Sequence, residues 1–439
     1  MHGVNEPRRR RVLMIAFHFP PLSGSSGIQR TLRFVQHLPR CGWDPIVLSA
    51  SPRVYPSTSP DLLSDIPPEV PVCRAFAFDA SRDFAIAGRY PGFLARPDRW
   101  RGWVLGAVPA GLALIRRWRP DAIWSTYPIA TAHLIAHHLH RLSGLPLIAD
   151  FRDPMVQDGY PADPKTYRSF EHVERSIVRD ASRVVFVTPS AQAVYRNRYP
   201  EVPGERFALI ENGYDEESFV AAERDLQRSA LNPGRFTLLH SGIVYPSERD
   251  PTALFEALGR LKRRGLVHAE SLRLRFRAPV HADLLQRLAA ASDTADLVEV
   301  LPPVPYLQAL QEMMNADGLL VMQGANCNEQ VPAKLYEYLR ARRPVLGLAD
   351  PAGDTAKVMV GAGVSHVAML ENANDVEAVL ERYLADASAQ PAGAVGETPR
   401  NMSRRARAQE LAVLLEGVCT KTGTAPLAAA GQRTDKGEC

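Results

Sequence analysis

Residues 11–49 read RVLMIAFHFPPLSGSSGIQRTLRFVQHLPRCGWDPIVLS. The run 12–17 is apolar without alternation, which predicts a strand over 11–17 covered on both faces. A turn rich in Pro, Ser and Gly follows. Ile28, Leu32, Val35 and Leu38 then recur at helical spacing, so 28–40 is predicted helical, with Gly42 just past its end. Residues 44–49 form a second unalternating strand. Strand, helix and strand of this kind make a parallel βαβ unit, because such strands need helices on both faces of their sheet.

The same alternation extends outward. Strands are predicted at 120–126, 145–151, 183–188 and 207–210, with a helix at 129–142. A second series opens with strand 235–241, then Gly242 and a polar loop. Asp250 is the expected N-cap, with Pro251 as the first residue of a helix over 251–264. Further strands are expected at 272–276, 297–301, 317–322, 344–348 and 365–369. The fold class is therefore α/β: two Rossmann-like, doubly wound domains in series, facing a cleft between the carboxyl ends of their sheets. The boundaries are set at 1–210 and 211–385. Residues 386–400 are small, polar and rich in Gly and Pro and read as a linker. A helix follows over 403–418, and 419–439 has too few apolar residues to order and is expected to be disordered.

Composition excludes several classes. Of 439 residues, 46% are hydrophobic and 23% charged, an ordinary globular mix that rules out a coiled coil or a mostly disordered chain. The net charge of +4 makes no demand for nucleic acid. Of the 52 basic residues only 6 are Lys, which reads as genome composition before chemistry. Five Cys without a CxxC, or a His at metal spacing, read as free thiols in a reducing compartment. The apolar run after Arg8–Arg11 is shorter than a secretory core. The run 103–115 is shorter than the roughly 20 residues that span a bilayer. A cytoplasmic protein without a transmembrane helix is expected. The first strand is followed by PPLSGSSG rather than G-x-G-x-x-G, which argues against a nicotinamide dehydrogenase.

Several phrases, in order, resemble family 4 glycosyltransferases. They are HFPPLSGSSGIQR (18–30), LIADFRDPM (147–155), IENGYDEESF (210–219), and NEQVPAKLYEYLRARRPVLG (328–347), which holds the E-x7-E pair Glu329 and Glu337. The resemblance covers about 11–418. It implies a GT-B architecture, a first domain on the acceptor side, a second that holds the nucleotide-sugar donor, and a chain end that crosses back to the first domain. It also implies retention of anomeric configuration, no resident cofactor and no metal, the nucleotide sugar being a substrate. Three positions depart from the family pattern. Ser26-Gly27 stands for two glycines, Ile243 for an Arg, and Arg152 lies where a His is usual nearby.

Each motif has its own chemistry. Gly27 permits close backbone approach in a turn that opens a helix, whose free N–H groups attract negative charge; Gln29 and Arg30 are further donors. In the second half, amides around Gln330, Val331, Pro332 and Ala333 are expected to face the cleft and take a diphosphate, with Lys334 and Arg249 balancing its charge and Gly242 in the turn beside them. Glu337 is assigned the ribose hydroxyls, and Glu329, at the cleft mouth, the sugar hydroxyls. After strand 145–151, a cluster of Asp150, Arg152, Asp153 and Asp158 supplies the acceptor-side carboxylate, for which Asp153 is the choice. The residues with assigned catalytic roles are thus Asp153 and Glu329.

Segment 96–119 holds six Arg and one Asp, together with Trp100, Trp103 and Trp118. Arg and Trp flanking an apolar stretch suit a membrane interface, and equally a buried helix with Arg at its ends. The expected partners are a nucleoside-diphosphate sugar and a glycan or polyprenyl-linked acceptor. An anionic membrane surface at the inner face is a further candidate. The rival readings are a catalytically silent GT-B binding protein and a nucleotide-sugar epimerase on the same fold.

Overall fold

The computed structural model describes residues 8–25, 27–85, 89–389 and 400–422. Among the described residues, thirteen strands form two sheets. The first holds β1 (Arg10–Ile15), β2 (Trp43–Ala50), β3 (Val72–Ala75), β4 (Ala122–Thr126), β5 (Leu147–Arg152), β6 (Arg183–Phe186) and β7 (Phe207–Leu209). The second holds β8 (Phe236–Ser241), β9 (Leu272–Arg277), β10 (Val298–Leu301), β11 (Gly318–Gln323), β12 (Val345–Ala349) and β13 (Val367–Ala368). The spatial orders are β3-β2-β1-β4-β5-β6-β7 and β10-β9-β8-β11-β12-β13. Every pairing between these strands is parallel.

Both orders reverse beside the first strand of their unit, at β1/β4 and at β8/β11. In an open parallel sheet that switch point, at the carboxyl ends of the strands, is where a ligand crevice forms. Two such crevices face each other here, which makes the molecule two Rossmann-like domains around a cleft, the GT-B architecture. Apolar layers cover both faces of the first sheet. One contains Leu13, Ile15, Ile123 and Trp103; the other contains Met14, Trp124, Leu32 and Val35.

The chain end packs on the first domain. Helix Arg404–Thr422 lays Ala408, Leu411, Leu415 and Val418 into the layer formed by Leu32 and Val35 of helix Gly27–His37 and by Leu38 just after it. Just before it, Tyr214 N–H donates to Met402 O (3.2 Å) and Arg404 N–H to Tyr214 O (2.8 Å). The two passages between domains are therefore hydrogen-bonded side by side.

Several expectations are corrected. Helix Ala373–Ala389 runs into the stretch read as a linker, of which 390–399 lie outside the described residues. The last helix continues to Thr422, past the expected end at 418. Its last turn is tied down by Cys419 Sγ on Asp121 O (3.4 Å) and Thr420 Oγ1 on Glu416 O (3.1 Å). The rest of the tail expected to be disordered, 423–439, lies outside the described residues. The first helix ends at His37 and tightens into a 3-10 turn, Leu38–Cys41, because Pro39 cannot donate an α-helical hydrogen bond. Pro251 takes the N-cap position, while Asp250 Oδ1 still accepts from Thr252 N (3.0 Å). Strand β3 was not anticipated, since its four residues carry no distinct pattern.

The tryptophans of 96–119 face inward. Trp103 is fully buried, and Trp100 packs on Phe17 (4.6 Å between ring centres) and donates Nε1–H to Val54 O (3.2 Å). Trp118 packs against the apolar core from its edge. Among the described residues no helix is long and apolar enough to cross a membrane.

Candidate functional site

A cleft of about 1420 Å³ opens between the domains, lined from one side by residues after β1 and β5 and from the other by residues after β8 and β11. Of the residues assigned from sequence, it brings together Asp153, Gly242, Arg249, Gln330, Val331, Lys334 and Glu337. Glu329 and Gly27 are not among its lining.

The second-domain wall begins at the turn after β8. Gly242 has φ 110°, in the region that favours glycine, and a methyl group there would stand 3.0 Å from Lys334 Nζ. The turn thus leaves room for the ammonium group. Lys334 Nζ lies 3.1 Å from His240 Nε2, while His240 Nδ1 meets Leu320 O at 2.9 Å. A carbonyl can only accept, so Nδ1 carries the proton and Nε2 accepts from the ammonium. Burial and the neighbouring ammonium hold His240 well below the usual histidine range. Burial, reinforced by Arg249, holds Lys334 well below the usual lysine range, and Glu337 pulls the other way. An anion entering here meets a cation that has lost its water.

Arg249 completes this corner. Its Nε donates to Gln323 Oε1 (3.3 Å), its Nη1 to Ile243 O (3.2 Å), and its guanidinium lies over the Tyr245 ring at 5.4 Å. The residue that replaces the family's Arg, Ile243, thereby serves through its carbonyl. Helix Ala333–Ala341 starts at the same corner, with no side chain capping it. The expected amide set is narrower than read: Gln330 N–H is used by Cys327 O (2.9 Å), and Pro332 has none. The amides of Val331, Ala333 and Lys334 remain as donors toward an anion, reinforced by the helix dipole.

One turn into that helix, Glu337 accepts from Tyr306 Oη–H (2.8 Å). Burial raises its carboxyl above the usual range, against the pull of Tyr306, Arg404 and Lys334. Arg404 comes from the last helix, so the returning chain end also supplies a cleft residue.

Glu329 is a correction. Its carbonyl accepts from Thr188 Oγ1 (2.6 Å), its half-buried carboxyl is influenced by Arg198 and Asp354, and it does not line the cleft. From the sequence, Glu329 is set in the loop before the helix, at the cleft mouth. Pro332 caps a helix that starts at Ala333, and the loop before it carries Glu329 instead to where the domains touch.

On the first-domain side, a methyl group at Gly27 would stand 2.7 Å from both Arg152 Nη1 and His18 Nδ1, so glycine here permits that packing under the turn. His18 Nδ1 pairs with Ser25 Oγ (2.9 Å), and burial with the adjacent Arg152 lowers its pKa to about 4. Asp153 follows Arg152, which has φ 64°. Burial raises the Asp153 carboxyl, opposed by Arg152 and Arg30. Arg30 is no cleft donor: it is buried in a two-pronged pair with Asp150 (2.7 and 3.1 Å) and also serves the carbonyls of Ile210 and Glu211. Gln29 does line the cleft, its Oε1 accepting from Arg33 Nε (3.1 Å). Asp158 is exposed and outside the lining.

Sequence reasoning missed His18, Arg33, Asp215, His240, Tyr306 and Arg404. Only His18 and His240, placed at or just after a strand end, carried a readable signal. Among the described residues, His37, Asp215 and Glu217 have ligand atoms close enough to share a metal ion. Both carboxylates already hold cations, Arg33 at 3.1 Å from Asp215 and Arg405 at 2.8 Å from Glu217. The trio is thus accounted for as an ion-paired contact between the domains.

Residues 26–213 match the family model described as Glycosyl transferase 4-like domain. Sucrose-phosphate synthase from Thermosynechococcus elongatus is similar in structure, with TM-score 0.62 and 15% identity over 94% of this chain and 98% of that one. HepE from Anabaena in complex with UDP gives 0.58 and 13% over 94% and 98%. A UDP-N-acetylglucosamine 2-epimerase from Listeria monocytogenes, described as putative, gives 0.51 and 12% over 97% and 100%. No curated protein sequence matches the chain. The first domain is therefore a glycosyl transferase 4-like domain, and the whole chain has the fold of the GT-B glycosyltransferases, in line with the resemblance to family 4.

Proposed function

We propose that this protein is a glycosyltransferase that moves a sugar from a nucleoside-diphosphate sugar, with retention, to a cell-envelope glycan or lipid-linked acceptor. The observation that carries the reading is the corner formed by Gly242, Lys334 and Arg249 at an uncapped helix start, with Glu337 one turn further on. A diphosphate there gains two cations and the amides of Val331, Ala333 and Lys334. Glu337, already accepting from Tyr306, takes the two ribose hydroxyls. As the C1–O bond to the diphosphate breaks, charge grows on the leaving group beside Lys334 and Arg249. The acceptor oxygen bonds to C1 on the same face, and its proton passes to the departing phosphate oxygen. Asp153, across the cleft, orients the acceptor hydroxyl.

The test is a panel of UDP, GDP and ADP by calorimetry, followed by donor turnover without acceptor. Binding of one nucleotide with slow release of free sugar supports transfer chemistry. Binding without turnover of any matching donor would indicate a silent binding protein. Conversion of the donor into its C2 epimer would indicate the epimerase reading, and no nucleotide binding would sink all three.

A further inference from the structure

Four large apolar side chains stand in solvent on one side of the first domain: Phe76 (54% exposed), Phe84 (44%), Phe93 (64%) and Leu105 (69%). Their surroundings connect them. Phe76 backs onto Gly106, the neighbour of Leu105 in helix Trp103–Trp118. The Phe84 ring meets that of Phe78 edge-on at 4.9 Å, and Phe78 sits under Gly102 at the start of the same helix. Arg101 Nη1 donates to Phe93 O at 3.1 Å.

Arginines ring this group. Arg53 lies over the Phe76 ring at 5.8 Å, and Arg82 Nη1 donates to Arg53 O at 2.6 Å. Over 89–101 there are four Arg and one acid, Asp98, with Arg96 and Arg99 paired to Asp163 (3.6 Å) and Asp79 (3.4 Å). Asp98 is itself occupied by the amide and hydroxyl of Thr131 (2.8 and 2.9 Å). Arg53 and Arg82 share Asp83 (3.9 and 3.1 Å), and Arg101 has no carboxylate partner among the described residues.

We infer that this patch docks the protein on an anionic lipid bilayer, with Phe93 and Leu105 entering the headgroup boundary and Arg53, Arg82 and Arg101 pairing with lipid phosphates. Isolated apolar side chains on a surface need no explanation, but four together, inside a belt of arginines, fit an interface that is apolar within and anionic outside. Of the tryptophans that first suggested a membrane, Trp103 is buried and Trp100 and Trp118 are partly buried against the core, so the docking group is a different one. Its position matters for chemistry. Arg53 follows β2, and Phe76 and Phe84 follow β3, at the same sheet edge from which the loop after β1 enters the cleft. Phe17 of that loop packs on Trp100 and Trp103 at 4.6 and 5.8 Å, directly behind the patch. The cleft thus lies beside the docked face, where an acceptor with its lipid tail in the bilayer can present its head. The docking stands without the transferase reading; the acceptor's class rests on it.

Sedimentation with phosphatidylcholine vesicles, with and without phosphatidylglycerol, tests the docking independently of activity. Binding is expected only with the anionic lipid and should weaken with added salt. Arg53→Glu with Arg101→Glu should lower partitioning roughly fivefold or more for each arginine lost. Phe93→Ser with Leu105→Ser should lower it further at equal lipid charge. Melting temperature and nucleotide binding should not change in either variant. Absence of vesicle binding by the wild type, or equal binding by the variants, would overturn the inference. So would a dimer in light scattering that the same substitutions split, since the patch would then belong to a second copy.

Discussion

At the scale of single residues, the donor corner combines groups whose charges are disfavoured in the empty cleft. Lys334 is held below its usual range and Glu337 above its own, in both cases mainly by burial. On the proposed function, a nucleotide relieves the first by bringing phosphate charge and the second by bringing hydroxyl donors. Glu337→Gln keeps an acceptor for Tyr306 but loses charge-assisted bonds of roughly 1.5–3 kcal/mol each. Nucleoside diphosphate affinity should fall tenfold or more by calorimetry. Glu329→Gln should leave that affinity unchanged, because its side chain does not line the cleft; an equal fall in both would contradict this division. Buried histidines set the acid limit. His133 and His18 have pKa values lowered to about 3 and about 4, and both are therefore neutral in the fold. The unfolded chain takes up these protons below about pH 6.5, so their stabilising share is intact above that pH. It is lost as pH falls toward the folded values, at about 1.4 kcal/mol per pH unit for each histidine. His133→Leu leaves the Ser125 hydroxyl, now 2.7 Å from His133 Nδ1, without that partner, and so lowers stability near neutrality. Its urea-derived stability should nevertheless fall less steeply with acid than that of the wild type.

At the scale of elements, the last helix serves both packing and the site. Leu411 and Leu415 are essentially buried against the first helix, and Arg404 at its start reaches the cleft. Leu411→Ala and Leu415→Ala should each cost about 2–5 kcal/mol in denaturant unfolding. Removing 404–439 exposes the apolar stripe together with Leu32, Val35 and Leu38 and should cause aggregation. A soluble, fully active truncation would show that the helix does not tie the domains together. These elements were readable to different degrees, for physical reasons. Both βαβ series stood out because strands buried on two faces are continuous apolar runs and the helices between them have one apolar stripe. Strand β3 gave no such signal, being four residues at a sheet edge and only partly covered. The donor-side residues were visible because a helix start, a glycine turn and a nearby carboxylate lie within local stretches of chain. Tyr306, Arg404 and Asp215 were not, since they meet Glu337 only after three distant segments fold together. Glu329 was misplaced because the path of a loop is not written in its spacing: the loop before the helix carries Glu329 to Thr188 of the other domain and not to the cleft mouth.

At the scale of the whole molecule, the cleft is closed at one end by direct bonds between domains. Thr188 caps helix Pro189–Arg198 in the first domain and also donates Oγ1–H to Glu329 O of the second (2.6 Å). Next to it, Ser190 donates its amide and hydroxyl to the buried carboxylate of Asp354 (2.9 and 2.8 Å). Asp354 also meets Lys357 at 3.3 Å in its own helix, so its charge stays balanced as the domains separate. This junction is small and polar, unlike the apolar cores within each domain, and the passages at 212–215 and 402–404 lie side by side where a hinge would turn. The domains are thus expected to open by breaking the Thr188 and Ser190 bonds while bending at those passages. Asp354→Ala removes two charge-assisted bonds from the closed form and leaves the donor corner at Lys334, Arg249 and Glu337 untouched. Small-angle scattering of this variant should give a larger radius of gyration than the wild type, with each domain melting as before. Nucleotide affinity should change by less than a few-fold, because in the proposed function the second domain supplies the donor contacts. Turnover should fall by about tenfold or more, since the acceptor side must approach the donor for transfer. An unchanged radius and unchanged turnover would show that the junction is a passive contact and that closure is set elsewhere.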